Sequence, residues 1–530
     1  MTAPRGALGR RRFLGVAAGA GVAATTVGAT AGARLGGETT GRTLTSAGPP
    51  VPRFAVPLPI PPTARPVGRE DGTDRFEVEQ KVASVEIVPG RRTTIWGYDG
   101  VFPGPTFTGR TGRGAVVHVL NSLPVPTSTH LHGGVTPPDS DGYPTDLVVP
   151  TERCGERLRA GHGMHTPSAA RRLSPGSKAY EYPLEQRAAT LWYHDHRMDF
   201  SAPQVWRGLA GFFLVHDDEE ERLPLPGGEK DVPLLLCDRA FAEDGEFRYP
   251  AKAPDCMGEP GVRAEFMDGV LGDVQLVNGA PWPVLDVSAT RHRLRLLNAS
   301  NARRYRLTLS PGPRQGVPFT QIGSDGGLLA RPRGHREIPL APGERHDVVV
   351  DFSGHPVGTE VTLENTLGHG RMRQVMRFRV VRRERDDTHV PTRLSTTAEP
   401  LDPASAAHVR RFDFRRTNAG DDRAMWTVNG RPFSVSDVLA EPRLGTVERW
   451  RFTSDFHHPV HLHLAHFQVV ARDGRPPRAT DAGWKDTVDV RPYEVVDVLA
   501  RFTGHRGRYM LHCHNLEHED MAMMANFEVV

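Results

Sequence analysis

The run Gly100-Val101-Phe102-Pro103-Gly104-Pro105 is followed at 115–122 by AVVHVLNS, in which apolar and polar residues alternate until a small polar pair ends the run. Glycine and proline set turns, and alternation with period two marks a strand with one buried face. The same grammar returns twice. Val277-Asn278-Gly279-Ala280-Pro281-Trp282-Pro283 precedes HRLRLLNAS at 292–300, and Val428-Asn429-Gly430-Arg431-Pro432-Phe433 precedes VERWRFTSD at 447–455. The turn glycines stand 179 and 151 residues apart, which is the size of a domain. Three β-domains in tandem is the economical reading, each expected to be a Greek-key sandwich with alternate side chains facing inward. Charged stretches punctuate the chain between them, DDEEERLPLPGGEK at 217–230 and RRERDDTHVP at 382–391. The expected layout is an all-β chain with domains at 76–217, 231–386 and 408–530 and linkers at 218–230 and 387–407.

Composition agrees with that layout. In a chain of 530 residues, 38% hydrophobic residues and 55 glycines support buried cores and exclude wholesale disorder. The 46 prolines argue further for short strands joined by turns and against a helical bundle. A net charge of +3 gives no support to a nucleic-acid partner. Only 5 of the 66 basic residues are lysine, which codon bias in a GC-rich genome explains without a phosphate-binding role.

The N-terminus reads as an address. GRRRFLG at 9–15 leads into a weakly apolar Ala/Gly/Val/Thr run, and small residues at Ala29-Thr30-Ala31 or Ala31-Gly32-Ala33 complete a cleavable export signal over 1–34. Arg10-Arg11-Arg12-Phe13-Leu14 fits the twin-arginine form, with an Arg-rich Sec signal as the alternative. The expectation is export by the twin-arginine machinery to the periplasm, cell surface or exterior of a bacterium. Residues 35–75, rich in Pro, Gly and Arg, read as an extended arm with no core of its own. No other stretch is apolar and long enough to cross a bilayer as a helix.

Four histidine clusters carry the chemistry: His130-Leu131-His132, His194-Asp195-His196, His458-Pro459-Val460-His461-Leu462-His463, and His512-Cys513-His514 with His518 and Met523 beyond. Successive side chains on a strand point to opposite faces, so each His-X-His sets two imidazoles on one face. In His512-Cys513-His514 the same rule turns the thiol away from both histidines, so one strand serves two metal sites. One thiolate, two imidazoles and a weak axial Met make the ligand set of a blue copper site. Cys513, His518 and Met523 supply three of those groups, and His458 is the natural fourth. The zinc patterns of paired CxxC or HExxH are absent.

On HLHGG (130–134), LWYHDH (191–196), HPVHLHLAHF (458–467) and HCHNLEHEDMAMM (512–524), the chain resembles the three-domain multicopper oxidases, within them the bacterial spore-coat laccase and bilirubin oxidase branch. TPPDSDGYP (136–144), GLAGFFLVHD (208–217), LVNGAPWPVLDV (276–287), GWKDTVDV (483–490) and PGERHDVVVDFS (342–353) support the resemblance, which spans about 76–530. It implies three cupredoxin-like domains and four copper ions. Type 1 copper would fall to His458, Cys513 and His518 with Met523 axial; type 2 to His130 and His461; the type 3 pair to His132, His194, His196, His463, His512 and His514. The first and third domains would share the trinuclear cluster, with the second as a spacer without ligands. An organic donor would reduce the type 1 copper near the surface one electron at a time, and four electrons would reduce O2 to water. Glu519 and Asp141 stand where the family keeps acidic proton-relay residues; a role in merely orienting a ligand imidazole is the alternative.

The resemblance implies a laccase-like oxidase of phenols and aromatic amines, acting with O2 and a small aromatic donor, with no nucleic acid and no membrane span, and as a monomer. A metal oxidase for Cu(I), Mn(II) or Fe(II), or a copper-free structural or division protein on the same scaffold, are the competing readings; the latter would have lost ligands, and here none is missing. His457 and His466 read as structural, Met521 and Met524 as core, and Gly161-His162-Gly163-Met164-His165 as a solvated loop in an Arg-rich insertion over 147–178. Cys154, Cys237 and Cys256 leave disulfide pairing open, with Cys237–Cys256 conceivable.

Overall fold

The structure is a computed structural model that describes residues 41–150, 172–418 and 424–530. The signal segment, Cys154 and the run 161–165 lie outside the described residues.

Each of the three turns that open the repeat is a two-residue hairpin turn. Asp99-Gly100, Asn278-Gly279 and Asn429-Gly430 all take positive φ at both positions, at 53° and 68°, 50° and 83°, 54° and 74°. That is the conformation Asp-Gly and Asn-Gly adopt at least cost. The alternating runs become the strands Ala115–Asn121, Arg291–Asn298 and Val447–Ser454. Each lies parallel to the strand that opens its unit: Thr73–Val85, Asp231–Phe241 and Ala406–Asn418.

Six main sheets follow, in three pairs. Thr73–Val85 and Ala115–Asn121 lie in a five-stranded sheet that packs on a four-stranded one containing Thr129–His132 and Ala189–Asp195. Phe76, Val117 and Val119 meet Phe107, Leu191 and Phe213 between them. In the middle pair Leu234, Leu294 and Leu296 pack on Leu307, Leu363 and Phe378. In the last, Phe412, Trp450 and Phe452 pack on Val460, Leu511 and Phe527. The chain is thus three tandem cupredoxin-like β-sandwiches, as expected. Each of the six main sheets holds one parallel pair among antiparallel neighbours.

Two expectations need correction. Ala115–Asn121 and Val447–Ser454 alternate buried with partly buried residues, but Arg291–Asn298 is buried on both faces. Its outward Arg293 and Arg295 are covered by Glu220, Asp231 and Asp347. Glu220 comes from the stretch at 217–230, so that acidic run packs as a cover and does not simply span two units. The arm lends single residues to cores built by the rest of the chain: Leu44, Val51 and Leu58 are buried in three different clusters. Its Arg42–Thr43 pairs in parallel with Val270–Leu271. The flanks of the 147–178 insertion, Asp146–Val149 and Arg172–Pro175, pair with one another. No helix among the described residues is long and apolar enough to cross a membrane.

Candidate metal centre

Sheet register brings the four clusters together in two pairs. Thr129–His132 runs antiparallel to Ala189–Asp195, setting His130 opposite His194. His458–Leu462 runs antiparallel to Gly507–Cys513, setting His461 opposite His512 and Val460 opposite Cys513. Eight imidazoles from the two ends of the chain then meet in one buried nest: His130, His132, His194, His196, His461, His463, His512 and His514.

Most rings are fixed by the nitrogen that does not face the nest. His130 donates from Nδ1 to the Asp141 carbonyl at 2.5 Å, His461 to the Asp486 carbonyl at 2.9 Å, and His463 to Asp141 Oδ2 at 2.8 Å. His194 and His512 donate to the carbonyls of Asp195 and Cys513 at 2.9 and 3.1 Å. His132 differs, donating from Nε2 to Asp486 Oδ1 at 3.0 Å, which leaves its Nδ1 without a partner.

This wiring tests whether the nest suits a metal. The Nε2 atoms of His130 and His461 face each other at 3.4 Å, and those of His463 and His512 at 3.1 Å. All four rings already donate from Nδ1, so both members of each pair present bare lone pairs. Lone pairs repel unless a cation lies between them. His194 Nε2 and both nitrogens of His514 have no protein partner either. Burial first, and His196 second, pull His194 down to about 3; burial, with a contribution from His512, takes His196 to about 4 in spite of Glu519. Neutral imidazoles with free lone pairs are what a metal requires. The residues fit a group of bound copper ions.

A second site lies one residue away along the same strand. Cys513 Sγ sits 3.4 Å from His458 Nδ1 and 3.7 Å from His518 Nδ1, all buried. Burial raises the thiol well above its usual range, so a coordinating metal would have to draw off its proton. Met523 is buried in the same core, its carbonyl accepting the Cys513 N–H. His518 is carried by the short helix Leu516–Asp520, stacked on Trp426 with ring centroids 3.8 Å apart. His518 is 0% exposed, and its Nε2–H donates to the Asp268 carbonyl at 3.2 Å. A backbone segment of the middle sandwich covers the imidazole edge.

Asp141 and Glu519 are both beside the nest. Glu519 Oε2 lies 3.2 Å from His512 Nδ1 and Oε1 3.7 Å from His196 Nε2. Burial would raise this carboxyl, but His196 and His512 outweigh it and hold it below its usual range. Burial raises Asp141 well above the ordinary carboxyl value, with Lys178 opposing. For Asp486 the balance reverses. Burial opposes ionisation, but the Arg345 guanidinium and then His132 hold it well below.

His457 approaches Asp489 and His466 contacts the Gly133 carbonyl at 3.0 Å, so neither faces a metal group. Met524 is buried with Met198 and Met510, and Met521 is partly buried between two cores. Cys237 and Cys256 are separate buried thiols, and the conceivable bridge between them is not formed. Sequence reasoning quoted GWKDTVDV and PGERHDVVVDFS without assigning work to Asp486 or Arg345. It also missed Trp192, stacked on His194 at 4.3 Å, and Trp426. Only Trp192 carried a local signal, two residues before His194 and across the sheet from His132; Arg345, Asp486 and Trp426 reach the sites through tertiary contact.

Three sandwiches whose outer members share a histidine nest, with a cysteine–histidine site on the strand that also carries His512, are the frame of a copper oxidase. Residues 405–530 match one multicopper oxidase family profile, and 79–157 with 162–220 match another. A laccase of Bacillus subtilis (strain 168) is 33% identical, the match covering 90% of this chain and 98% of that protein. A bilirubin oxidase of Albifimbria verrucaria is 33% identical over 90% of this chain and 82% of its own length. The solved structure of a laccase from Pediococcus acidilactici Pa5930 superposes with a TM-score of 0.76 at 30% identity, covering 92% of this chain and 96% of that one. The chain belongs to the multicopper oxidases, oxidoreductases that use oxygen.

Proposed function

We propose that this protein is a laccase-like oxidase that couples one-electron oxidation of phenols or aromatic amines to reduction of O2 to water. One observation carries the reading: Cys513 offers its thiol to one group of ligands while His512 and His514, its direct neighbours, belong to the other. His458, Cys513, His518 and Met523 would hold type 1 copper. His130 and His461 would hold type 2, and His132, His194, His196, His463, His512 and His514 the type 3 pair. Bound copper would supply the one-electron steps and the four-electron chemistry of O2.

The chain's own residues do the rest. The covalent path from Cys513 to its neighbours is two residues of backbone at most. Asp141 and Asp486 orient four imidazoles by accepting their N–H groups. Glu519, beside His512 and His196, is placed to pass protons inward, and Asp141 Oδ1, which has no hydrogen-bond partner, can take a second. A thioether ligand from Met523 would keep the type 1 potential toward the low end. The domain limits are those read from sequence: 76–217, 231–386 and 408–530, after a twin-arginine signal over 1–34 that exports a folded monomer.

The test is kinetics on the purified, copper-loaded protein under air, with oxygen uptake recorded for a phenol, an aminophenol, bilirubin, Cu(I) and Mn(II). Four coppers per chain, a visible thiolate–copper band and fast uptake with the phenol are expected. A colourless loaded protein would overturn the reading. Uptake with the metal ions alone would replace it with a metal oxidase.

A further inference from the structure

Arg345 lies in the middle sandwich, which contributes no candidate ligand among the described residues. Its side chain is nonetheless buried where all three units meet, and every one of its five N–H groups is used. Nε donates to the Thr190 carbonyl at 2.9 Å, in the strand that leads to His194. Nη1 donates to the Gly343 carbonyl at 3.0 Å and Asp486 Oδ1 at 2.7 Å. Nη2 donates to the Asp325 carbonyl at 3.1 Å and Asp486 Oδ2 at 2.6 Å. A guanidinium with no spare donor has one orientation, and its fork fixes the Asp486 carboxylate in its plane. Next to it, Gly343 has φ +84°, and a Cβ there would meet the rings of His514 and His132 at 3.0 and 3.1 Å.

Asp486 decides which nitrogen two histidines turn to the nest. Its carboxylate takes the Nε2–H of His132, leaving Nδ1 free, and its carbonyl takes the Nδ1–H of His461, leaving Nε2 free. The Thr487 hydroxyl is 3.0 Å from His132 Nε2 and 3.2 Å from His461 Nδ1, closing the arrangement. We propose that Arg345 is a positioning residue for the copper cluster. Acting on these two rings through Asp486, it sets the tautomers of His132 and His461 and so makes their metal-facing nitrogens conditional on the docking of all three sandwiches. This rests on the ligand assignment above.

The test uses the full, copper-loaded protein with Arg345→Met, Arg345→Lys, Asp486→Asn and the double variant Arg345→Met/Asp486→Asn. Each is followed by copper per chain, the visible thiolate–copper band, the type 2 electron paramagnetic resonance signal and loss of copper to a graded chelator. In Arg345→Met the visible band should persist, since His458, Cys513 and His518 make no contact with Arg345. The cluster copper should be lost at chelator concentrations about 10- to 100-fold lower, the usual effect of removing a ligand's hydrogen-bonded support. The type 2 signal should change shape in the copper that remains. The double variant should be no worse than Asp486→Asn alone, because a residue that acts through another adds nothing once that other is gone. Arg345→Lys, which keeps the charge but loses the fork, should fold and show the same changes in smaller measure. An unaltered type 2 signal and wild-type chelator resistance in both Arg345 variants would overturn the proposal, as would additive losses in the double variant. A wild-type protein that lacked the visible band or the type 2 signal would instead refute the ligand assignment itself.

Discussion

Asp141 and Asp486 come from different sandwiches yet hold the histidine nest in the same way. Each accepts one imidazole N–H on its backbone carbonyl and a second on its carboxylate: His130 and His463 for Asp141, His461 and His132 for Asp486. Their charge environments are opposite. Asp486 is gripped by a guanidinium with both oxygens engaged, whereas Asp141 Oδ1 has no hydrogen-bond partner among the described residues. Matching imidazole contacts thus sit on a carboxyl whose ionisation the Arg345 guanidinium favours on one side and on a carboxyl whose ionisation burial disfavours on the other. Geometry alone would have assigned the two one role.

The largest test removes each carboxylate outright. Asp486→Ala strands a buried guanidinium and should cost ~3–5 kcal/mol. Asp141→Ala keeps the carbonyl that His130 uses, leaves one unpaired imidazole N–H, that of His463, and should cost about 1–3 kcal/mol. Calorimetry of the copper-free proteins measures both, and equal losses would erase the distinction. Next come rates. Glu519→Gln and Asp141→Asn should slow oxygen uptake by roughly 100-fold, the scale of general acid–base catalysis. Anaerobic reduction of the visible band by donor should stay at the wild-type rate in both, so parallel slowing of the two steps would remove the proton-handling role.

The smallest effect extends the contrast to a clamp far from copper. Burial would raise Glu220, but Arg293 and Arg295 hold it well below the glutamate range. Since the folded value is depressed, its contribution is complete above the unfolded value of about 4.3 and is lost as pH falls toward the folded one. The melting temperature should fall on acidification, and Glu220→Gln should flatten that slope. An unchanged slope would show that the cluster is neutral in net effect.

The fold was readable because its three Asp/Asn-Gly turns and alternating strands are local signals. Eight of the twelve proposed ligands stand in His-X-His pairs, which need only the period of a strand; His458, Cys513, His518 and Met523 were proposed from the ligand set of a blue copper site and from the family resemblance. What escaped was set by tertiary contact. Nothing in Arg293 and Arg295 announces that Glu220 will bury them, and nothing in Asp268 announces a carbonyl over His518. Arg345 and Asp486 stood in quoted motifs, but the tie between them crosses 141 residues and two sandwiches.

The pairing of His130 with His461 joins positions 331 residues apart. The nest therefore exists only after the final strands have been synthesised and docked. A ribosome-bound or C-terminally truncated chain would own the His130, His132, His194 and His196 half of the nest and none of the thiol site. Metal acquisition must be the last event in this protein's maturation, and any chain that captures copper earlier does so at a site other than the one that works.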